Sequence, residues 1–224
     1  AGLVITANWS IYIWAVNADF VIQTCIGYYI EPLMVCIFGI IIFKEVLTKF
    51  KLTAFCFACA GVLLILLYFR EIPLIALSLA VTFAVYAAMK KTFNIEAMLS
   101  LFYETMFLVP VAAAVIVYLE VNGKGAIAVA EPYQYALLFL SGILTAIPLG
   151  TFAVAANRVP LVTLGLIEYI SPSITLIIGI FLFKEPFDLV QFMAFVIIWI
   201  GLAIFTAGEI REANEIKRQG DIND

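Results

Sequence analysis

The chain has 224 residues, of which 65% are hydrophobic and 12% charged, with a net charge of −4 and a mean hydropathy of +1.14. An ordinary soluble domain carries roughly 25% charged residues, so this chain lacks the polar surface that a soluble fold of its length needs. No basic patch suggests nucleic acid, and the absence of histidine removes the usual imidazole metal ligand and proton shuttle.

A membrane-spanning helix needs ~20 mostly apolar residues, and the sequence reads as eight apolar runs joined by short connections. Segments of this kind must satisfy their own backbone groups in lipid, which leaves the helix as the only reading. The first run, Ala1–Asn17, is short. It starts without Met and has neither a charged n-region nor a cleavage pattern, so it reads as the interior of a longer chain rather than a signal peptide. Asn8 and Tyr12 lie one turn apart on it. The second run, Val21–Phe43, places Thr24, Tyr28 and Glu31 at i, i+4 and i+7 on one face, with Pro32 beside them.

The third run, Phe50–Phe69, carries Ala54, Ala58 and Gly61, small residues that read as close helix packing. It also holds Cys56 and Cys59. With Cys25 and Cys36 these lie in apolar runs without a second ligand pair, and all four read as buried, inert thiols. The fourth run, Ile72–Met89, carries Ser78, Thr82 and Tyr86 as a stripe that serves either packing or a pathway. The fifth, Glu96–Val121, carries Ser100 and Glu104 one turn apart. The longest connection runs from Asn122 to Pro132 around Gly123 and Gly125. Tyr133–Asn157 holds Thr145 and Pro148, Pro160–Phe183 holds Glu168, Ser171, Pro172 and Thr175, and Leu189–Ala207 is the last apolar run. A polar tail, 208–224, follows.

With the tail side taken as inside, the inside ends hold Lys44, Lys49, Lys51, Lys90, Lys91, Arg158, Arg211, Lys217 and Arg218. Outside are Arg70, Lys124 and Lys184. Nine against three is a positive-inside bias, and it supports the segment count.

Shifting the sequence by 140 positions lays Ala15–Gly61 on Ala155–Gly201 without a gap, and 14 of the 47 pairs are identical. Both copies carry Y-I-x-P-x6-G-x3-F-K-E, from Tyr29 to Glu45 and from Tyr169 to Glu185. The copies are offset by five helices, and an odd offset inverts the second in the membrane. Inverted repeats are a transporter architecture. The second copy has two helices ahead of its matched region where the first has none, so the expected whole is an inverted 5+5 all-α polytopic membrane protein whose first two helices precede Ala1.

Three carboxylates lie inside helices: Glu31, Glu104 and Glu168. A charged carboxylate at the bilayer centre costs at least ~2.5 kcal/mol, so such groups face a bundle interior or a wet cavity. In the repeat, Tyr28 matches Glu168 and Glu31 matches Ser171, so each half presents a carboxylate and a hydroxyl in swapped order. Pro32 and Pro172 each remove a helical hydrogen bond and are expected to kink their helices. The candidate substrate or proton pathway is therefore Asn8, Tyr12, Tyr28, Glu31, Tyr86, Glu104, Glu168 and Ser171, in a central cavity between the halves. For Glu31, Glu104 and Glu168 the alternative is structural bonding as neutral acids. Lys44, Glu45, Lys184 and Glu185, at helix ends, read as anchors, caps or gate residues. No catalytic residue, metal site or cofactor is expected.

The run from Asn8 to Asn17, N-W-S-I-Y-I-W-A-V-N, resembles the N-W-x-x-[YF]-I-W-A-V-N run of RarD-type permeases, in the EamA group of the drug/metabolite transporter superfamily. Gly27 to Leu33 is similar to that family's G-Y-F-I-N-P-L, Glu104-Thr105 to its E-T, and Thr163 to Pro172 to its T-L-G-x-x-Q-Y-I-x-P. The likeness covers nearly the whole chain. It implies ten helices, both termini in the cytoplasm and a bacterial inner-membrane location. It divides the chain into the remainder of a first EamA-like repeat (1–71), a second repeat (72–207) and a cytoplasmic tail (208–224). Glu31 stands where the family has Asn, and Glu168 where it has Gln, which bears on substrate charge or coupling ion. The function implied is a secondary transporter of a small metabolite or drug-like solute in the lipid bilayer, with protons as a candidate coupling ion. The alternative is a non-transporting membrane assembly or scaffold subunit. Substrate, direction and oligomeric state are not legible.

Overall fold

A computed structural model describes residues 1–70, 73–93, 95–125, 130–182 and 189–223, with side chains at all of these except 21, 22, 179 and 216–223. Nine helices account for most of these residues: α1 Gly2–Asn17, α2 Val21–Ile41, α3 Lys49–Phe69, α4 Leu74–Phe93, α5 Ala97–Val121, α6 Pro132–Arg158, α7 Leu161–Glu168, α8 Ile170–Phe181 and α9 Leu189–Asn223. Among the described residues seven spans are long and apolar enough to cross a membrane, α7 and α8 forming one of them. The eighth apolar run, α1, has 16 residues and packs in the same bundle. The protein is an all-α, multi-pass membrane protein.

Local chemistry sets several helix ends. Thr48 caps α3, its hydroxyl accepting from Lys51 N–H at 3.4 Å, and Arg70 stops that helix in the left-handed region at φ 52°. A capping box of Glu131 and Gln134 opens α6, and Pro160 precedes α7. The polar tail expected after residue 207 is not a separate element. The final helix continues through it as one piece of 35 residues, about 52 Å at 1.5 Å per residue, well beyond a hydrocarbon core of ~30 Å.

Contacts between helix ends show which ends share a side. Lys51 at the start of α3 pairs with Glu209 near the end of the described side chains of α9, at 3.0 Å. Lys91 at the end of α4 pairs with Glu45, after α2, at 3.2 Å. These ends form the tail side. The pairs α3 and α9, and α2 and α7, are related by the 140-residue repeat, and both run antiparallel, as an inverted repeat requires.

The repeat partners pack on each other through small residues. A Cβ built on Gly61 would lie 3.0 Å from the Ala194 carbonyl, and one on Gly201 would lie 3.1 Å from the Ala54 carbonyl. Ala54, Ala58 and Ala194 are buried, so the small-residue face of α3 is a packing seam, as its sequence implied. α2 sits at the centre. Its Ile26 and Ile30 pack with Val62, Ile65, Ala76 and Ala80, and Val35 packs with Ala84, Ala87 and Leu164. It also packs tightly on α7, where a Cβ on Gly165 would fall 2.5 Å from the Pro32 carbonyl oxygen and 2.7 Å from Cys36 Sγ.

Large apolar side chains cover the outside, with Phe107, Val121, Phe139 and Leu144 among those exposed on α5 and α6. Of the four cysteines only Cys36 is buried; Cys25 and Cys56 are exposed and Cys59 is intermediate. The expectation of four buried thiols is therefore corrected. In a membrane protein an apolar neighbourhood in sequence is equally a lipid-facing one.

Gly165→Val is expected to lower stability by ~1–3 kcal/mol, because backbone, not a flexible side chain, meets the added atoms. The unfolding midpoint in detergent measures it. Gly142→Ala, where an added Cβ meets nothing within 4 Å, serves as the control and should not lower the midpoint.

Candidate functional site

The candidate residues fall into three groups rather than one central cavity. The first is a cavity of ≈ 180 Å³ between α1, α2 and α4. Tyr12, Thr24, Tyr28 and Glu31 all line it, so the i, i+4, i+7 residues of α2 open on one cavity. The rings of Tyr12 and Tyr28 meet edge to face at 5.9 Å. Asn8 also lines the cavity, with its amide committed to α4: Nδ2 donates to the Leu79 carbonyl and to Thr82 Oγ1, each at 2.8 Å. Trp9 and Phe83 complete the aromatic wall. The cavity is lined from α1 and α2, before residue 72, and from α4, after it.

The second group is on α7 and α8. Glu168, Ser171 and Thr175 line an open cavity of ≈ 390 Å³ with Ile167, Ile170 and Ile174. Both carboxylate oxygens of Glu168 are shielded from solvent and lack a hydrogen-bond partner. Pro172 lacks the N–H that would bond the Glu168 carbonyl, and the span breaks at Tyr169 between α7 and α8. The equivalent helix α2 stays continuous through Pro32, so only the later copy is interrupted. Tyr169 is buried, and its hydroxyl donates to the carbonyl of Tyr29, its own repeat partner, at 3.1 Å. Glu168 and Glu31 line different cavities, yet they are close enough to interact electrostatically.

The third group is an ion pair. Glu104 Oε1 accepts from Lys90 Nζ and, at 2.9 Å, from Ser100 Oγ; Lys90 also donates to Ser100 at 2.8 Å. Side-chain exposure is 3% for Lys90 and 11% for Glu104, so Lys90 is not the loop cation of the positive-inside count. It lies one turn before the end of α4, and the short connection to α5 folds Glu104 back onto it. Tyr86 belongs here too: Lys90 Nζ sits 5.3 Å from its ring centroid, the ring stacks on Phe152, and its buried hydroxyl has no partner. Tyr86 and Glu104 are thus apart from the cavity that holds Tyr28 and Glu31.

One further site was only partly legible. Glu45 accepts from the backbone N–H groups of Leu161 at 2.8 Å and Val162 at 2.9 Å, capping α7. Lys91 joins it, donates to the Val159 carbonyl at 2.8 Å and lies over the Phe43 ring. Glu45 is therefore a cap, of a helix 116 residues further along the chain. Its repeat partner Glu185, with Lys184, lies outside the described residues.

Residues 72–207 match the model of the EamA-like transporter family. The chain belongs to that family. It is 39% identical over 212 residues to the uncharacterized transporter YojE of Bacillus subtilis, covering 94% of this chain and 70% of that protein. It is 33% identical to protein RarD of Escherichia coli, covering 94% and 71%. An uncharacterized transporter of Vibrio cholerae is 32% identical over 96% and 72%. No solved structure matches. The family and these relatives support membrane transport for this EamA-like chain, and the RarD likeness read from Asn8–Asn17 agrees with them.

Removing one partner of the buried pair leaves the other charge unpaired, which costs about 3–5 kcal/mol. Lys90→Met and Glu104→Gln should each lower the unfolding midpoint sharply, and the double variant Lys90→Met/Glu104→Leu should recover most of the loss. Single variants as stable as the parent chain would show that the pair contributes nothing to the fold.

Proposed function

We propose that the chain acts as a secondary transporter of a small solute by alternating access, with the α1/α2/α4 cavity as its substrate site and the tail side facing the cytoplasm. The observation that carries this reading is the carboxylate-bearing cavity lined from before and after residue 72; inverted-repeat carriers bind their solutes between their halves. The nine-to-three distribution of Lys and Arg supports the orientation, even with Lys90 removed from the inside count.

In this reading the Glu45 cap is the closed gate of the tail side. The α2–α3 connection, the end of α4 and the start of α7 meet at one carboxylate, and opening that side requires its bonds to part. Proton coupling is the finer part of the proposal. It is supported by Glu168, which has no hydrogen-bond partner for either oxygen, and by Glu31, which lines the cavity. Glu104 is less suited to it because Lys90 and Ser100 already hold one of its oxygens. The rival reading, a non-transporting assembly subunit, predicts that substitutions in the cavity disturb complexes and leave flux unchanged.

Two experiments separate these readings. In the first, the full-length protein is reconstituted in vesicles and tested with labelled metabolites and chloramphenicol, the latter because a Pseudomonas aeruginosa relative is named a chloramphenicol-sensitive protein. Glu31→Gln and Glu168→Gln should each lower the initial rate at least ~10-fold, at the scale of one lost charged interaction, and remove stimulation by a pH gradient. If Glu31→Gln, Glu104→Gln and Glu168→Gln all keep the wild-type pH response, proton coupling is wrong.

The second experiment uses Glu45→Gln, which keeps the side chain's shape and removes the charge held by Lys91 and the two α7 N–H groups. A loosened tail-side gate should change the initial rate of flux about 10-fold, at the scale of one lost charged interaction. A rate equal to that of the parent chain would count against gating at this point.

A further inference from the structure

The α1/α2/α4 cavity has a chemistry that goes beyond transport in general. Four aromatic side chains line it: Trp9, Tyr12, Tyr28 and Phe83. Its one carboxylate is Glu31, and no Lys or Arg is among its lining residues. Glu31 has no ion-pair partner among the described residues, whereas the buried cation of α4, Lys90, is taken up by Glu104 and Ser100. The amide of Asn8 is likewise committed to Leu79 and Thr82. The cavity therefore offers ring faces and one acid, with no basic donor for an anion.

Aromatic faces carry a negative quadrupole and attract a cation lying within about 6 Å of the ring centroid, most strongly where water is excluded. Trp is the best such ring, and the Tyr12 and Tyr28 rings are already set edge to face at 5.9 Å. The volume of ≈ 180 Å³ is below the ~300–1,000 Å³ of pockets that bury drug-sized ligands. It suits a compact headgroup.

We infer that this cavity selects a small organic cation, an amine or quaternary ammonium whose headgroup sits among Trp9, Tyr12, Tyr28 and Phe83 with Glu31 as its counter-charge. The inference rests on the reading of this cavity as the substrate site.

Calorimetry on the purified chain in detergent tests it, with choline and tetramethylammonium as probes and 3,3-dimethylbutan-1-ol as the uncharged isostere of choline. Both cations should bind, and the isostere should bind at least ~10-fold more weakly. Glu31→Gln and Trp9→Leu should each weaken choline about 10-fold, at the same scale of one lost charge or ring contact, while Trp9→Phe keeps most of the affinity and Gly142→Ala, away from the cavity, all of it. Circular dichroism on each variant checks that the helices are intact. Equal binding of choline and its isostere, or no binding of either cation by the intact fold, overturns the inference. Vesicle flux separates the two readings. A protein that carries neutral or anionic solutes but binds no ammonium loses the cation site and remains a transporter. One that binds choline and moves no solute keeps the site and loses the transport reading.

Discussion

A helix that begins in or near a bilayer has backbone N–H groups with no partner of its own, and they must find one. At the start of α7 that partner is a single carboxylate from the other half of the chain. Glu45 satisfies the N–H groups of Leu161 and Val162 and accepts the charge of Lys91. Its placement is built from the local backbone: its own N–H bonds the Gly39 carbonyl at 3.2 Å, and Lys44 before it turns the chain at φ 51°. Gly39 has to lack a side chain, because a Cβ there would stand 2.8 Å from Glu45 Oε2 and 3.0 Å from Val162 N. Once α7 is pinned, Gly165 seats it against Pro32 and Cys36, and Tyr169 reaches across to Tyr29.

The repeat is nearly symmetrical in sequence at its two prolines and unsymmetrical in structure. α2 passes through Pro32 unbroken, with α1, α3, α4 and α7 all packed on it. The later copy breaks at Tyr169, where the carbonyl freed by Pro172 belongs to Glu168 itself. Swapping acid and hydroxyl between the copies adds to the difference. The acid of the first copy faces an aromatic cavity, and the acid of the second sits at a helix break among isoleucines.

Much of this was legible. Hydropathy located the helices, the 140-residue shift paired α2 with α7 and α3 with α9, and helical periodicity put Thr24, Tyr28 and Glu31 on one face. What a face meets is a different kind of information. Periodicity placed Tyr86 on a stripe with Thr82, yet the neighbour at Thr82 is Asn8 and the neighbour at Tyr86 is Lys90. Lys90 itself reads as an interfacial cation, since a lysine at the end of an apolar run usually reaches water; only its ion pair with Glu104 and its bond to Ser100 show that it is buried. The exposure of Cys25 and Cys56 was hidden for a related reason, because core and lipid select the same residues. Glu45 was visible as a helix-end acid, but the helix it caps is distant in the chain.

Four carboxylates thus divide by what holds them. Glu45 and Glu104 are satisfied: one by two N–H groups and Lys91, the other by Lys90 and Ser100. Each fixes two or more helices, and the free energy of its bonds is committed to the arrangement they hold. Glu31 and Glu168 have no ion-pair partner among the described residues, and the oxygens of Glu168 have no hydrogen bond. Buried polar atoms without partners are few in native proteins because each is costly. Such an atom gains more from a new partner than a satisfied one does, since it has nothing to break first. Glu45 and Glu104 hold helices together; in the proposed transporter, the partnerless oxygens of Glu168 make the protein's energy depend on what enters the cavity beside them.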